Sequence, residues 1–442
     1  MAADPAPSSA AEPFRSLERR VRPWREPLAI AAGLREREGL AALLSDGGPL
    51  GRWSWVGVEP DLAFVGPVED AALAGPLRDP AFATGVIGLL SYDAGARAAT
   101  GSRGGDWPDL MLARYPAMLG FDHRTRETHV LGRGVDAAAA KRAADVADGW
   151  LEAAVEGARP SPPAVSFDAE TPGEAYEAAV ADVVDRIAAG ELFQANIARA
   201  WGGRLKPGRS PFEVLARLAD RASAYGALWR LGDRAIVSNS PELFLIFDPA
   251  DGRIETRPIK GTRPRDADPA ADAAQAAALE ASAKDRAENL MIVDLMRNDL
   301  SRVARPGSVT VERLFEIESL PTVHHLVSTV AGAARDAVGP AELLEATFPP
   351  GSITGAPKHQ AMKVIARHEP PRGPWCGSLF HVDDGGRLTA SVLIRTAAFR
   401  ADGDGWRFRA QAGAGIVADS DPAAERAETE AKIRALREAL SG

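Results

Sequence analysis

The sequence predicts an α+β fold, in which layers of antiparallel β-sheet carry helices on their outer faces. Strand-like alternation and helix-like periodicity occur in clusters along the chain, without the strict strand–helix alternation that a parallel sheet requires. Hydrophobic residues make up 45% and charged residues 26% of the 442 residues, which is the balance of a globular protein. This length allows one large two-layer domain or two to three ordinary domains.

The first part of the chain is predicted to be rich in strands. Residues 1–25 contain many Pro, Ala, Ser and Arg residues and are expected to be loosely ordered. Short apolar pieces separated by turn residues follow over residues 28–64. The next apolar runs predict buried strands at residues 84–92 and 111–121.

A linker is predicted after the first alanine-rich helix, which we expect at residues 135–157. Four prolines lie between Pro160 and Pro172 and interrupt regular structure. We therefore expect a sheet-rich region at residues 26–160 and a second, larger region at residues 165–442.

The second region alternates between groups of strands and groups of helices. Helices are predicted at residues 172–190, 271–304, 340–347, 357–369 and 422–441. Strands are predicted at residues 192–201, 227–247, 253–259, 321–332, 388–399 and 406–417.

Composition excludes several classes of protein. The net charge is −9 and no basic stripe stands out, so a nucleic-acid partner is not expected. Cys376 is the only cysteine, which rules out an intramolecular disulfide and indicates a reducing compartment. The N-terminal segment lacks the apolar core of a signal peptide, and no apolar run approaches the roughly 20 residues of a membrane helix. A cytoplasmic location without membrane association is expected.

The last predicted helix carries charged residues on its core-facing stripe. Glu425, Thr429 and Lys432 lie on one helical face with Leu436 and Leu440, and Glu428 lies beside them. A solvated salt-bridge face is the ordinary explanation for such a pattern.

The helix predicted at 271–304 favours a different explanation. Glu288 shares a stripe with Ile292 and Leu295, and Asp294 is flanked by apolar residues. A carboxylate on a buried face is costly unless it is paired or bound to a cation. Two helices that each deliver glutamates would form an oxygen-only site suited to Mg²⁺. The seven histidines form no Cys/His cluster, so zinc is not expected.

Several segments could bind anions. The segment FPPGSITGAPKHQAM is a glycine-containing loop before a helix, although its spacing from Gly351 to Lys358 does not match a phosphate loop. Gly413 and Gly415 permit close backbone approach, and Arg395 could bind a carboxylate with two hydrogen bonds. Together with a magnesium site, these features indicate a small polyanionic substrate without phosphate chemistry.

Seven ordered segments resemble the chorismate-utilising family, which contains anthranilate, isochorismate, salicylate and aminodeoxychorismate synthases. They are SPELFLIF, TRPIKGTRPR, ENLMIVDLMRNDLSRV, PTVHHLVSTV, GSITGAPK, VLIRT and AGAGIVADSDPAAERAETEAK. The resemblance runs from about residue 172 to the C-terminus and is looser before that. It implies the layered fold of anthranilate synthase component I.

The resemblance also implies roles for individual residues. Glu288 and Glu425 would hold magnesium with Glu428 close by, and the ion would bind the ring carboxylate of chorismate. Substrate carboxylates would contact Arg395, Lys432 and the backbone at Gly413 and Gly415, while Thr354 and Gly355 would line the pocket. His325 would lie against the ring, and Glu242 would be the general acid that protonates the departing C4 hydroxyl.

Two positions predict the nucleophile. Gln194 lies where water-using members carry a lysine base, so addition of water is disfavoured. Lys260 lies where anthranilate synthases carry alanine and aminodeoxychorismate synthases carry lysine. If Lys260 adds to C2 and expels the C4 hydroxyl, ammonia can then add to C4 and expel the lysine. The alternative to this catalytic role is that Lys260 is a surface lysine in the polar turn RPIKGTRPR.

We therefore expect magnesium-dependent amination of chorismate at C4, which supplies a precursor of 4-aminobenzoate for folate. Ammonia would come from a glutamine amidotransferase partner. Anthranilate synthase component I and a non-catalytic chorismate-binding subunit remain as alternatives. The match has departures at four positions, whose effects stay open: His381, Phe380, Pro350 and Lys363.

Overall fold

The computed structural model describes residues 11–69, 72–155, 157, 159–320 and 323–442. Its strands are β1 (Ser16–Pro23), β2 (Ala41–Leu44), β3 (Trp53–Gly57), β4 (Leu62–Gly66), β5 (Val86–Leu90), β6 (Leu110–Arg114), β7 (Ala117–Asp122), β8 (Glu127–Gly134), β9 (Asp168–Ala169), β10 (Gln194–Arg204), β11 (Tyr225–Leu231), β12 (Arg234–Ser240), β13 (Leu243–Asp248), β14 (Arg253–Thr256), β15 (Ile259–Pro264), β16 (Thr310–Ser319), β17 (Val323–Ala333), β18 (Gly355–Ala356), β19 (Ser378–Val382), β20 (Leu388–Val392), β21 (Thr396–Asp402) and β22 (Gly405–Ile416).

The α-helices are α1 (Pro27–Gly33), α2 (Tyr92–Thr100), α3 (Ala137–Gly149), α4 (Gly173–Ala188), α5 (Pro211–Leu218), α6 (Pro269–Ala281), α7 (Ala283–Ser301), α8 (Pro340–Thr347), α9 (Lys358–His368) and α10 (Pro422–Leu440). Short 3₁₀ helices occupy Gly75–Arg78, Pro80–Phe82, Trp150–Ala153, Ala219–Arg221 and Gly351–Ile353.

Two antiparallel sheets form the centre of the molecule, which confirms the α+β prediction. The larger, 12-stranded sheet has the order β1-β8-β7-β3-β2-β11-β12-β21-β22-β10-β18, with β9 also paired to β10. The smaller, 10-stranded sheet has the order β15-β17-β14-β13-β20-β19-β5-β6-β4, with β16 also paired to β17.

The apolar clusters show how the layers stack. One cluster joins residues of both sheets, including Ile87 and Leu379 of the smaller sheet and Trp229 of the larger, so the sheets pack face to face. A second cluster packs α1, α3, α5 and α10 on the outer face of the larger sheet. A third packs α2, α7, α8 and α9 on the outer face of the smaller sheet. The helices therefore cover the two outer faces, as the sequence predicts.

The boundary predicted near residue 160 does not divide the sheets. β2 pairs with β11, with Ala41 opposite Trp229, and β5 pairs with β19, with Leu90 opposite Ser378. Each sheet thus combines strands from both sides of residue 160.

Disorder over residues 1–25 is a wrong prediction for part of that range. Ser16–Pro23 forms β1 and pairs with β8 along its whole length, so backbone hydrogen bonds hold a segment whose composition indicated a loose chain. Residues 1–10 lie outside the described part of the chain.

Two other predicted elements are each divided in the structure. The strand predicted at 111–121 is two strands: β6 lies in the smaller sheet and β7, after Tyr115 and Pro116, in the larger. The helix predicted at 271–304 breaks at Ser282, whose hydroxyl caps α7 by accepting from the Asp285 amide.

Of the helices the structure describes, none has both the length and the apolar character that crossing a bilayer demands.

Candidate active site

Lys260 and Glu288 form an ion pair inside the protein. Lys260 Nζ on β15 lies 2.6 Å from Glu288 Oε1 on α7, and only 11% and 17% of their side chains are exposed. Gln194, the first residue of β10, donates its Nε2 to the same carboxylate oxygen at 2.9 Å. Three residues far apart in the sequence therefore meet at one oxygen atom.

The charges around Glu288 keep its carboxylate ionised. Burial raises the pKa of Glu288, but the neighbouring ammonium groups of Lys260, Lys432 and Lys284 outweigh burial, so its pKa lies below the ordinary value. Gly415 makes this packing possible. A Cβ atom there would lie 2.1 Å from Gln194 Nε2 and 2.8 Å from Glu288 Oε1.

Glu242 has the properties that a general acid needs. Only 4% of the residue is exposed, and burial raises the pKa of Glu242 to about 7 against the opposing effects of a Ser352 hydrogen bond and the Lys260 charge. The carboxyl group can therefore hold its proton near neutral pH and release it during a reaction.

His325 and Arg395 lie beside this group. Burial, together with the charge of Arg395, lowers the pKa of His325 to about 4, so its imidazole is neutral. Its Nδ1 lies 2.8 Å from Thr262 Oγ1, while its Nε2 has no partner in the described part of the chain. Nε2 is therefore the ring atom whose hydrogen-bonding capacity is unused by the described residues.

Arg395 is held in an unusual backbone conformation. Its φ of 51° lies in the left-handed region, which non-glycine residues seldom adopt away from functional sites. Burial lowers the pKa of Arg395, and Glu242 opposes that shift. Its guanidinium, which interacts with the Glu242 charge, has the planar donor pair that binds a ligand carboxylate with two hydrogen bonds.

Helix α10 contributes one lysine and two glutamates. Lys432 Nζ lies 2.9 Å from the Gly413 carbonyl oxygen and 2.6 Å from Glu428 Oε1. Glu425 is 6% exposed and accepts a hydrogen bond from Ser420 Oγ at 2.7 Å. Burial and the nearby Glu428 raise the pKa of Glu425, against the opposing effects of its Ser420 hydrogen bond and of the Lys284 and Lys432 charges.

The positions of the glutamates bear on whether this site suits magnesium. Among the described residues, no group of three or more His, Cys, Asp and Glu side chains is placed to hold a metal ion, so Glu288, Glu425 and Glu428 do not converge as a three-ligand set. The charges of Lys284 and Lys432 act on both Glu288 and Glu425, which places these glutamates in one neighbourhood. An open set of a few carboxylates fits magnesium, which keeps several waters and takes oxygens of its substrate.

The GSITGAPK loop packs against Gln194. Gly355 pairs with Ala195, has a φ of 136°, and a Cβ there would lie 2.1 Å from the Gln194 carbonyl oxygen. Thr354 is fully buried, and its hydroxyl donates to the Pro350 carbonyl oxygen at 2.8 Å. Thr354 and Gly355 thus lie next to Gln194.

Lys358, at the start of α9, forms a buried ion pair with α7. Its Nζ lies 2.5 Å from Asp299 Oδ2 and 2.9 Å from the Thr347 carbonyl oxygen, so the ammonium joins α9 to α7. Asp294, the other acidic candidate on α7, points to solvent and pairs with Arg297. Lys363 is exposed, and His381 is buried beside Trp55, between the two sheets.

Sequence reasoning missed two side chains that contact the predicted site. Thr262 binds His325, and Ser352 hydrogen-bonds Glu242. Both belong to the quoted segments, TRPIKGTRPR and GSITGAPK, so position within a motif was an available signal. The hydrogen bond from Gln194 to Glu288 had no sequence signal.

The family model described as chorismate binding enzyme matches residues 62–438. This chain belongs to that family. Aminodeoxychorismate synthase component 1 of Klebsiella aerogenes is 40% identical over 369 residues, covering 80% of this chain and 77% of the relative. Anthranilate synthase component 1 of Saccharolobus solfataricus is 33% identical over 366 residues, covering 81% of each.

The solved structures agree with the fold of this chorismate-binding enzyme. Anthranilate synthase component I from Streptococcus pneumoniae TIGR4 has a TM-score of 0.73 at 25% identity, covering 87% of this chain and 92% of that one. MenF, the menaquinone-specific isochorismate synthase from Escherichia coli, has a TM-score of 0.75 at 20% identity, covering 98% and 97%. The expected anthranilate synthase component I-like fold is confirmed.

Proposed function

We propose that this chorismate-utilising enzyme is an aminodeoxychorismate synthase component I, which replaces the C4 hydroxyl of chorismate by an amine. The observation that carries the proposal is the position of Lys260, whose amine is buried within 2.6 Å of Glu288. A surface lysine in a polar turn would not have this environment. Relatives at 38–40% identity carry the same name.

The proposed reaction uses two substitutions that each shift both double bonds of the ring. Lys260 Nζ, after losing a proton, forms a bond to C2 while the C4–oxygen bond breaks and Glu242 protonates the departing hydroxyl, which leaves as water. Ammonia then forms a bond to C4 and expels the lysine from C2 as the neutral amine, and the ammonium group formed at C4 returns one proton to the Glu242 carboxylate. The overall change consumes one ammonia and releases one water, and two transposed substitutions keep the configuration at C4.

The other site residues bind and orient chorismate in this proposal. Arg395 and Lys432 would hold substrate carboxylates, the backbone at Gly413 and Gly415 would approach them closely, and His325 would contact the ring through Nε2. Glu288, Glu425 and Glu428 would hold magnesium, which supplies positive charge for the ring carboxylate.

A glutamine amidotransferase subunit is the proposed source of ammonia, for synthesis of 4-aminobenzoate and folate. Cys376 is fully buried, and burial raises the pKa of its thiol, so it does not have the exposed thiolate that glutamine hydrolysis requires.

The test is product identification. Purified protein is incubated with chorismate, magnesium and an ammonium salt, and products are separated by mass spectrometry before and after adding a lyase that removes pyruvate. We expect aminodeoxychorismate first and 4-aminobenzoate only after the lyase. Fluorescent anthranilate formed without any lyase would overturn the assignment in favour of the second candidate, anthranilate synthase, which the Saccharolobus solfataricus relative supports. Absence of turnover would favour a non-catalytic chorismate-binding subunit.

A further inference from the structure

A cavity of about 840 Å³ opens on the surface between helices α2, α7, α8 and α9. Its volume lies in the range of roughly 300–1,000 Å³ that is typical of small-molecule sites. Of the described residues that form its wall, none belongs to the set proposed to bind or convert chorismate. The cavity is therefore separate from the proposed chorismate pocket.

Part of the cavity wall is apolar and well packed. A Cβ atom on Gly95, which also lines the cavity, would lie 2.4 Å from Phe348 Cδ1, so the phenyl ring packs directly on the backbone of α2. Apolar surface of this kind favours contact with an apolar group over contact with water. The wall contains five apolar residues that are each at most 7% exposed: Leu73, Ala94, Val303, Phe348 and Met362.

The acidic residues of the wall are already paired with cations of the protein. Asp299 Oδ2 lies 2.5 Å from Lys358 Nζ, and both residues line the cavity. Glu342 and Glu345, which also line the cavity, both bind the guanidinium of Arg78. These carboxylates therefore do not require a cationic ligand.

Two arginines of the wall differ in this respect. The guanidinium of Arg302 donates to the Ala346 carbonyl oxygen at 2.7 Å, and that of Arg335 donates to the Arg302 carbonyl oxygen. Among the described residues, neither guanidinium has a carboxylate at ion-pair distance. The charge of Arg302 acts on Asp299, but that carboxylate is bonded to Lys358. Because guanidinium groups stay charged, the cavity retains two cations that can bind an anion.

The two features together indicate the chemistry of a ligand. A guanidinium binds a carboxylate with two parallel hydrogen bonds, which fixes its orientation. The apolar wall would bury a compact hydrocarbon body attached to that carboxylate. An inorganic anion would leave the apolar wall in contact with water, and a neutral hydrocarbon would leave the arginines without a partner.

We propose that this cavity is a second binding site, which takes a small carboxylate with a compact apolar body. Arg302 and Arg335 hold the carboxylate, and the side chains of Leu73, Phe348 and Met362 contact the apolar body. This inference goes beyond the proposed function, and it stands whichever product the enzyme forms.

The test is isothermal titration calorimetry with 1-naphthoate, an aromatic carboxylate, and with the neutral 1-naphthalenemethanol of similar size. The unmodified protein should bind 1-naphthoate more tightly than the alcohol. Arg302→Gln and Arg335→Gln should each weaken binding of 1-naphthoate roughly tenfold, the effect of losing a charge-assisted hydrogen bond. Neither variant should change binding of the alcohol.

A third variant alters the space and leaves both arginines in place. Ala98 lies on α2, is exposed and lines the cavity, so Ala98→Trp fills the cavity from a position where a large side chain leaves the core undisturbed. We expect this variant to weaken binding of both the carboxylate and the alcohol, with an unchanged melting temperature.

Two matched controls separate this cavity from other arginines. Arg297→Gln removes an exposed arginine of the same helix that pairs with Asp294 and is not part of the wall. Arg395→Gln removes a proposed carboxylate-binding residue of the chorismate pocket. Both controls should bind 1-naphthoate within about twofold of the unmodified protein.

Three results would overturn the proposal. One is the absence of 1-naphthoate binding to the unmodified protein up to about 1 mM. Another is unchanged affinity in Arg302→Gln, Arg335→Gln and Ala98→Trp. The third is loss of binding in Arg395→Gln alone, which would place the probe in the chorismate pocket. The titration requires no turnover, so failure of the cavity site and failure of the proposed function are measured separately.

Discussion

Replacing Glu242 by Gln should make the protein inactive and, above neutral pH, more stable. Burial gives the Glu242 carboxyl a pKa of about 7 in the folded protein, compared with an ordinary value of 4.5. Between these values the folded protein binds a proton that the unfolded chain releases. The free energy of unfolding therefore contains a contribution that is fully present below pH 4.5 and is lost as the pH rises through 7.

The size of the effect follows from the two pKa values. At about 1.4 kcal/mol for each pH unit, the difference between them corresponds to about 3 kcal/mol of lost stability above pH 8. Glu242→Gln keeps the shape of the side chain and cannot ionise, so it avoids this loss. About 1 kcal/mol of this loss is already present at pH 5, so the stability gained by the variant should be about 2.5 kcal/mol larger at pH 8 than at pH 5.

Urea unfolding followed by circular dichroism at pH 5 and pH 8 measures this difference. Glu36→Gln is the matched control, because 79% of the Glu36 side chain is exposed and its replacement should change stability little at either pH. Turnover of Glu242→Gln should fall by about 10²-fold or more, the ordinary contribution of a general acid. Equal stability differences at the two pH values would refute the assignment of Glu242 as a carboxyl group that remains protonated near pH 7.

Lys260→Ala should abolish C4 amination and permit some anthranilate, because the nucleophile is lost and space opens near C2; mass spectrometry that finds undiminished C4 amination would contradict the covalent route. Glu288→Gln should raise the magnesium concentration needed for half-maximal activity without changing the melting curve, and a large loss of stability would instead indicate a structural role. Lys358→Met should cost about 3–5 kcal/mol in urea unfolding, because buried Asp299 loses its cation. The double variant Lys358→Met/Asp299→Leu should recover much of that loss, and failure to do so would count against an ion-pair role for Lys358.

The sequence alone was sufficient for the fold class and for much of the candidate site. The stripe on α10 and the apolar stripe on α7 are local patterns, since residues three and four apart share a helical face wherever the helix lies. They predicted that Glu425 and Glu288 are directed towards the interior, and both glutamates have pKa values shifted by burial and charge. The glycine-containing loop before α9 was also readable from local composition, whereas the strand predicted at 253–259 stops short of Lys260, which lies on β15.

Only the tertiary structure decided which of these groups meet. Gln194 and Lys260 both donate to Glu288 Oε1, although the three residues are far apart in the sequence. The Lys358 ammonium group forms an ion pair with Asp299. β1 is ordered because β8 pairs with it. Each sheet contains strands from before and after the proline-rich linker near residue 160. Periodicity and capping depend on neighbours along the chain, whereas strand pairing, burial and charge contacts depend on distant segments brought together by folding.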